Sequence, residues 1–403
     1  MQVNSKSIVD TVMSFRWNST IGVHEENHFC RVNVWRDCGL LPSKVKDKFL
    51  NSAEGDEFTV NLKAGEVFRY NDTNIIKVRR YQFRPPISME TDIKPKIGRF
   101  YPLGYFTDIA GVYPQNIKPA RIIHIDETYI TIDRNVPIAR YDLDLTIKIE
   151  RIVGKADKLQ GECRCWCEIA LDDGPGMQIP YNNIRTEFQL DEPQSFSRES
   201  ETDDQEFYSE PRLTTHIDSR CHENLQSLYE KIIPENSRIL DLMSSYQSHM
   251  PEDKNYHMVG LGLNSEEMKA NPQLKEFVVC DINKEPKLQF ADNSFDCVVC
   301  DLSIEYLVKP LSVISEIKRV LKKGGLLSFS FSNRYFPPKV IKLWKELHDF
   351  EKMGYVLDLL LQDGGFKDFQ TFSFRGWYRP FNDKYFESAF FSDPLYVVTA
   401  KKS

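Results

Sequence analysis

Between Leu225 and Ala400 short apolar runs alternate with stretches of helical periodicity, and this restricts the fold more than any other feature of the sequence. Leu225, Leu228, Tyr229 and Ile232 recur on one helix face, and Arg238–Leu242 follows as a short buried strand. Further strands are expected at 257–261, 276–281, 295–300 and 326–331. Between the last two, Leu311, Ile314, Ile317, Val320 and Leu321 mark one face of a helix, which Gly324 and Gly325 are expected to close. Repeated βα units of this kind build a parallel sheet covered by helices on both faces. Its ligand site is expected beyond the C-terminal strand ends. The closing runs 369–374 and 395–400 should add an antiparallel pair at one edge. The expected class is therefore α/β, a doubly wound, Rossmann-like sheet.

A second pattern precedes this one. Residues 57–62, 121–125, 129–133 and 143–152 alternate in the manner of half-buried strands, with Asp126-Glu127 as a hairpin turn. Prolines at 85, 86, 95, 102, 114 and 119 exclude long helices from the same region. This half reads as a small, mostly β (α+β) domain. The polar, acidic stretch 195–210 separates the halves and reads as an exposed linker. The expected organisation is an N-terminal extension over 1–54, a β domain over 55–153, a connecting segment and linker over 154–210, and the α/β domain over 211–403. In the extension, 31–36 reads as a strand.

The net charge of −7 argues against general nucleic-acid binding, which calls for a basic face. No segment has the roughly 20 apolar residues that span a bilayer, and no signal-peptide pattern opens the chain. Nine scattered cysteines suit reduced thiols in a cytoplasmic setting. On a strand, Cys163, Cys165 and Cys167 would share one face, yet no His or Cys pair follows at ligand spacing, so no metal site is expected.

The run 292–333, with Phe295–Asp301, a helix and then Leu321-Lys322-Lys323-Gly324-Gly325, resembles the central segment of class I S-adenosylmethionine-dependent methyltransferases of the type 11 kind. That resemblance implies S-adenosylmethionine as cofactor and an unidentified methyl acceptor, with a protein as one candidate. It implies that Asp241 closes the first strand to meet the cofactor's ammonium group, and that Asp281 accepts from the adenine amino group while Ile282 packs on the ring. Asp301 would border the methyl-donor pocket. The usual glycine-rich turn is replaced by Met243, Ser244 and Ser245, whose small serines suit a tight turn. The usual ribose-binding acid is replaced by Gly262, leaving Asn264 as substitute donor and acceptor. Ser248-His249, Asp173–Gln178 and the stretch 211–218 extend the resemblance to one methyltransferase-domain family. On the substrate side the candidates are His216, Tyr246, His249 and Asn333, with Arg334, Tyr335 and Phe336 following Asn333 after the fifth strand, where substrates usually enter.

Residues 98–152 are similar to the C-terminal half of FKBP-type peptidyl-prolyl isomerases, through Asn135, Pro137 and Ala139 of the run 131–139. The resemblance implies an aromatic pocket, for which Phe100, Tyr101, Tyr105, Phe106, Tyr113 and Tyr141 are candidates, and peptide binding. The family's early acidic-aromatic motif is absent from 56–86. Two other readings stand beside the methyltransferase: a non-catalytic binding or chaperone-type protein, and a prolyl isomerase.

Overall fold

A computed structural model describes residues 1–86, 93–155 and 162–403. Positions 156–161 of the expected connecting segment lie outside the described residues. The chain divides into two units, Met1–Leu190 with Phe350–Gly354 and Asp191–Asp349 with Tyr355–Ser403. No described helix is long and apolar enough to cross a membrane.

The N-terminal unit contains β1 (Ser7–Asn18), β2 (Gly22–Asn33), β3 (Glu57–Leu62), β4 (Ile75–Arg79), β5 (Phe100–Pro102), β6 (Pro119–Ile125), β7 (Tyr129–Asp133) and β8 (Leu143–Lys155). One antiparallel set runs β2-β1-β8-β3 and a second sheet runs β4-β7-β6-β5. Alternation decides the buried face: Leu143, Leu145, Ile147 and Ile149 of β8 are buried while Asp144 and Lys148 are exposed. Val9, Met13, Phe15 and Trp17 of β1 join them, covered by Val45 and Phe49 of the helix Ser43–Leu50. Residues 1–54 thus contribute the two long strands β1 and β2, paired to each other, with β1 also paired to β8.

Two local expectations fail here. The run 31–36 stops being a strand at Asn33, whose side chain accepts from Arg36 N and opens the helix Val34–Asp37. Cys163, Cys165 and Cys167 do not lie on a strand: a helix starts at Trp166 and buries Cys167 within it, so alternation does not align the thiols.

The C-terminal unit contains β9 (Arg238–Leu242), β10 (His257–Gly262), β11 (Leu274–Val279), β12 (Phe295–Asp301), β13 (Leu321–Phe331), β14 (Phe366–Arg375) and β15 (Leu395–Lys402). Within it the order is β11-β10-β9-β12-β13-β15-β14. The first five strands are parallel, and β15 runs antiparallel between β13 and β14. The helix Ser219–Ile232 leads into β9, Ser265–Ala270 connects β10 to β11, and Pro310–Val320 connects β12 to β13. Winding begins at β9 and proceeds to either side, so its C-terminal end is a topological switch point.

Three expectations need correction in this unit. The helix before β13 ends at Val320, ahead of the glycine pair, and Leu321 is the first, buried residue of the strand. Gly325 is required there because a Cβ would meet the Lys322 and Asp296 carbonyl oxygens at 2.8 and 3.0 Å. Leu311 is 38% exposed; Val313 takes the buried place beside Ile314 and Ile317. The stretch 195–210 is not a bare linker: it holds the helix Asp204–Phe207, and buried Asp204 pairs with Arg198 (2.8 Å) and Lys339 (2.9 Å).

The turn after β9 packs against the end of β10 only because a side chain is missing there. A Cβ on Gly262 would lie 2.2 Å from the Ser244 carbonyl oxygen, whereas one on Gly260 would meet only the movable Leu274 side chain at 2.6 Å and Ser244 Oγ at 3.3 Å. Gly262→Ala should therefore lower stability by about 1–3 kcal/mol through forced backbone movement, and by more than Gly260→Ala. Urea midpoints of the two variants check this; equal midpoints would show that the turn after β9 yields freely.

Candidate active site

Strands β9 and β12 end side by side, and each hands the chain to a non-glycine residue in the left-handed region, Met243 at φ 60° and Leu302 at φ 53°. Such conformations are costly for L-residues and concentrate at functional sites. Both residues border a cavity of about 360 Å³, within the usual range for small-molecule sites.

Asp241, Met243, Ser244, Ser245, Asn264, Asp281, Ile282 and Asp301 all line this cavity. Asp241 is buried, and its Oδ2 accepts from Ser244 Oγ (2.7 Å) and Ser248 Oγ (2.6 Å). Burial raises its carboxyl to about 6, against the opposing pull of the two hydroxyls. Asp301 Oδ1 accepts from Tyr229 Oη and Ser330 Oγ, both at 2.5 Å. Burial first, and the charge of Asp241 second, push Asp301 up to about 7.

The turn after β9 is tied from several directions. Ser244 N donates to Leu261 O (2.8 Å), while Asn271 Nδ2 donates to Ser245 O (3.0 Å) and Ser248 Oγ (2.9 Å). Asn264 caps the helix Ser265–Ala270: its Oδ1 accepts from Glu266 N and Glu267 N, and its Nδ2 donates to Tyr208 O and Ser209 O. Its amide is thereby occupied at both ends. A carboxylate does enter the cavity nearby, from Glu267, which accepts from Arg212 N (2.7 Å) and Ser245 Oγ (2.6 Å).

Asp281 differs from the other acids. Its Oδ1 accepts from Asn283 N (3.0 Å) and Lys284 N (3.2 Å), but Oδ2 is buried without a hydrogen-bond partner. The nearest cation is Lys284 Nζ at 4.0 Å. A buried polar atom left unpaired costs about 1–3 kcal/mol, so this oxygen marks a place for a donor. Ile282 beside it is buried and apolar.

On the substrate side the expectations divide. His216 lines the cavity, packs edge-on against Phe336 with centroids 5.6 Å apart, and has its pKa lowered by burial. His249 also lines it; its Nδ1 lies 2.7 Å from His222 Nδ1, and burial foremost lowers its pKa to about 3. Both rings are neutral at pH 7. Tyr246 and Asn333 are not among the lining residues, and Asn333 is exposed.

Several lining residues escaped the sequence reading. Arg212 lies over Phe207 (4.9 Å), Tyr208 (5.3 Å) and Phe336 (5.3 Å), with Nη1 buried and lacking a hydrogen-bond partner. Arg334, expected on the substrate side after the fifth strand, does line the cavity; it pairs with Asp393 (2.7 Å) and lies over Tyr385 at 4.6 Å. Tyr306, Lys384 and Tyr385 complete that side. For Glu267 a signal was present, since an acid three residues after an Asn N-cap is a helix-start pattern. Arg212, Lys384 and Tyr385 come from loops without a periodic signal. Among the described residues no group of three or more His, Cys, Asp and Glu is placed to hold a metal ion.

Residues 245–329 match the family model described as a methyltransferase domain. No curated protein matches the chain. Among solved structures, a SAM-dependent methyltransferase from Archaeoglobus fulgidus is 17% identical, over 45% of this chain and 94% of that one, at a TM-score of 0.33. Another from Thermotoga maritima, described as a possible histamine N-methyltransferase, is 15% identical over 45% of this chain and 89% of that one, at a TM-score of 0.34. Within the C-terminal unit, residues 245–329 are thus similar to a methyltransferase domain.

Proposed function

We propose that the C-terminal unit binds S-adenosylmethionine in the cavity at the β9–β12 switch point and transfers its methyl group to an acceptor entering from the side of His216, Arg334 and Tyr385. The observation that carries this reading is the orphaned, buried Oδ2 of Asp281 beside Ile282, a donor-seeking carboxylate with an apolar neighbour in the wall of that cavity. The residues fit the group. Asp281 accepts from the adenine amino group and Ile282 packs on the ring. Both of Asp241's hydrogen bonds fall on Oδ2, which leaves Oδ1 for the ammonium group, and Ser244 and Ser245 shape the turn that approaches the methionine tail. Glu267 supplies, from the following helix, a carboxylate that β10 lacks.

When bound, S-adenosylmethionine supplies an activated sulfonium methyl, so little covalent chemistry falls to the protein. The chain's own part is to orient the acceptor and exclude water. His216, held neutral by burial, can take a proton from a weakly acidic acceptor. The segment that brings Lys384 and Tyr385 to the cavity also exposes Phe381 (87%), Phe390 (70%) and Phe391 (54%), an apolar surface that favours a large acceptor such as a protein. All nine cysteines are free thiols, which suits a reducing, cytoplasmic setting.

Two observations favour other readings. The occupied Asn264 amide and Gly262 at the ribose position favour a methyltransferase-like binding protein without catalysis. In the N-terminal unit, Phe100, Asn135, Pro137 and Tyr141 of the FKBP-like run line a second cavity. Of the other aromatic candidates, Tyr101, Tyr105 and Phe106 belong to the packing around the second sheet, and Tyr113 is 71% exposed.

Calorimetric titration of the full chain with S-adenosylmethionine should show micromolar binding, weakened at least about tenfold, or 1.4 kcal/mol, by Asp281→Ala. Absence of binding to the unsubstituted chain would leave the non-catalytic reading in its place. The pH dependence follows from Asp241. Its carboxyl must ionise to meet an ammonium group, and in the free protein it does so only above about 6. Affinity should thus fall as pH drops through that value, approaching about tenfold per pH unit below it. Titrations from pH 5 to 7.5 should show this slope, and Asp241→Asn should remove it; an unchanged slope in the variant would take Asp241 out of the ammonium site.

A further inference from the structure

The cavity of the N-terminal unit, about 240 Å³, carries an unusual charge. Arg121 is 7% exposed, and no carboxylate among the described residues lies within ion-pair distance of it. Its Nη2 donates to the carbonyl oxygens of Met177 (3.2 Å) and Ile179 (2.6 Å), while Nε is buried with no hydrogen-bond partner. The guanidinium lies over Phe100, 4.2 Å from the ring centroid. Although burial lowers its pKa to about 10, it is still a cation at pH 7.

Arg140 faces the same cavity. Its donors go to neutral acceptors: Asn182 Oδ1 (3.0 Å), Tyr181 Oη (3.0 Å) and Tyr70 Oη. The acid near it is Asp133, 3.9 Å away, whose other oxygen accepts from Asn135 N (2.8 Å) and Nδ2 (2.7 Å). Glu351, the other acid that acts on Arg121, is itself paired with Arg99 (2.9 Å), so three guanidinium groups stand against two carboxylates and about one unit of positive charge is left over. Buried cations are normally paired, because desolvation is repaid only by a counter-charge with good geometry. A cavity next to an unrepaid cation points to a counter-charge that arrives from outside.

We propose that this cavity binds a small oxyanion, a carboxylate or phosphate group, between Arg121 and Arg140, with the hydroxyls of Tyr70 and Tyr181 turning to donate to it. The planar forks of the two guanidinium groups match either oxyanion. The volume is below that of drug-sized sites, so it suits a single acidic group on a short body and not a nucleotide. Phe100, Tyr141 and Tyr181 would flank an apolar or aromatic body. This site is separate from the methyl-transfer cavity and does not rest on that reading.

The test uses the full chain at constant ionic strength, titrated with inorganic phosphate, acetate and benzoate, with chloride as the reference anion. Binding is followed by tyrosine fluorescence and by nuclear magnetic resonance of the arginine side chains. Saturable binding is expected for at least one probe at millimolar concentration or below. Saturation by phosphate alone identifies the phosphate source; saturation by acetate or benzoate identifies the carboxylate source, with benzoate tighter if the rings hold the body. Arg140→Met should weaken binding at least about tenfold while its urea midpoint stays close to that of the parent. Should Arg140→Met fail to fold, Tyr181→Phe and Arg140→Lys read the same contact. No saturation by any probe, or equal binding by the parent and folded variants, overturns the proposal and leaves Arg121 as a strut for the Met177 and Ile179 carbonyls.

Discussion

The contact between the Ser244 carbonyl and Gly262 governs the shape of the C-terminal cavity. At 2.2 Å from an imagined Cβ, the carbonyl leaves room for hydrogen and nothing else. A turn that packs this tightly against a neighbouring strand normally needs its own glycines. Here the space comes from the partner strand, and the turn instead places Met243 in left-handed backbone. Asp241 holds that conformation by accepting from both Ser244 and Ser248, and Asn271 secures the same loop through Ser245 and Ser248. The exchange has a consequence on β10. The position that could have carried a carboxylate into the cavity must be glycine, and Glu267 reaches the cavity from the next helix instead.

Electrostatics follow from that arrangement. Asp241 and Asp301 sit at the ends of adjacent strands, both buried, and the charge of Asp241 helps to raise Asp301. Two acids in a poorly solvated pocket resist ionising together. A cation placed against Asp241 relieves both, so the pocket is better matched to a ligand bearing an ammonium group than to an anion at this end. Arg212, Arg334 and Lys384 also line the cavity, so its wall carries cations as well as these acids.

The sheet was legible because its signals are local. RILDL folds over Arg238–Leu242 as read, and the residues 129–133 likewise form β7, since strand propensity, alternation and flanking turns agree there. Boundaries failed where a tertiary contact outweighed a local rule. The glycine pair at 324–325 looked like a helix cap, but it lies inside β13, where the Lys322 and Asp296 carbonyls exclude a side chain. The acidic stretch 195–210 looked solvated, yet Arg198, Lys339 and Asn283 gather around Asp204 from distant parts of the sequence. At the site, the strand-end residues Asp241, Asp281 and Asp301 were readable because topology places strand ends. Arg212 and Tyr385 were not, because loops carry no period that reports where a side chain ends up.

The run 131–140 is held by its own geometry. Asn135 donates to Asp133 and to Asn71 O, and it accepts from Asn71 N and Asn74 Nδ2, so its amide is spent on holding two loops together. Pro137 opens the short 3-10 turn Pro137–Arg140, for which its fixed φ is already suited. That turn delivers Arg140 to the cavity opposite Arg121. Lowering the barrier to prolyl isomerisation calls for an apolar enclosure that favours a twisted amide over a planar one. Arg121 without an ion-pair partner, beside Arg140 and its single acid Asp133, provides a different environment, one that rewards a negative charge.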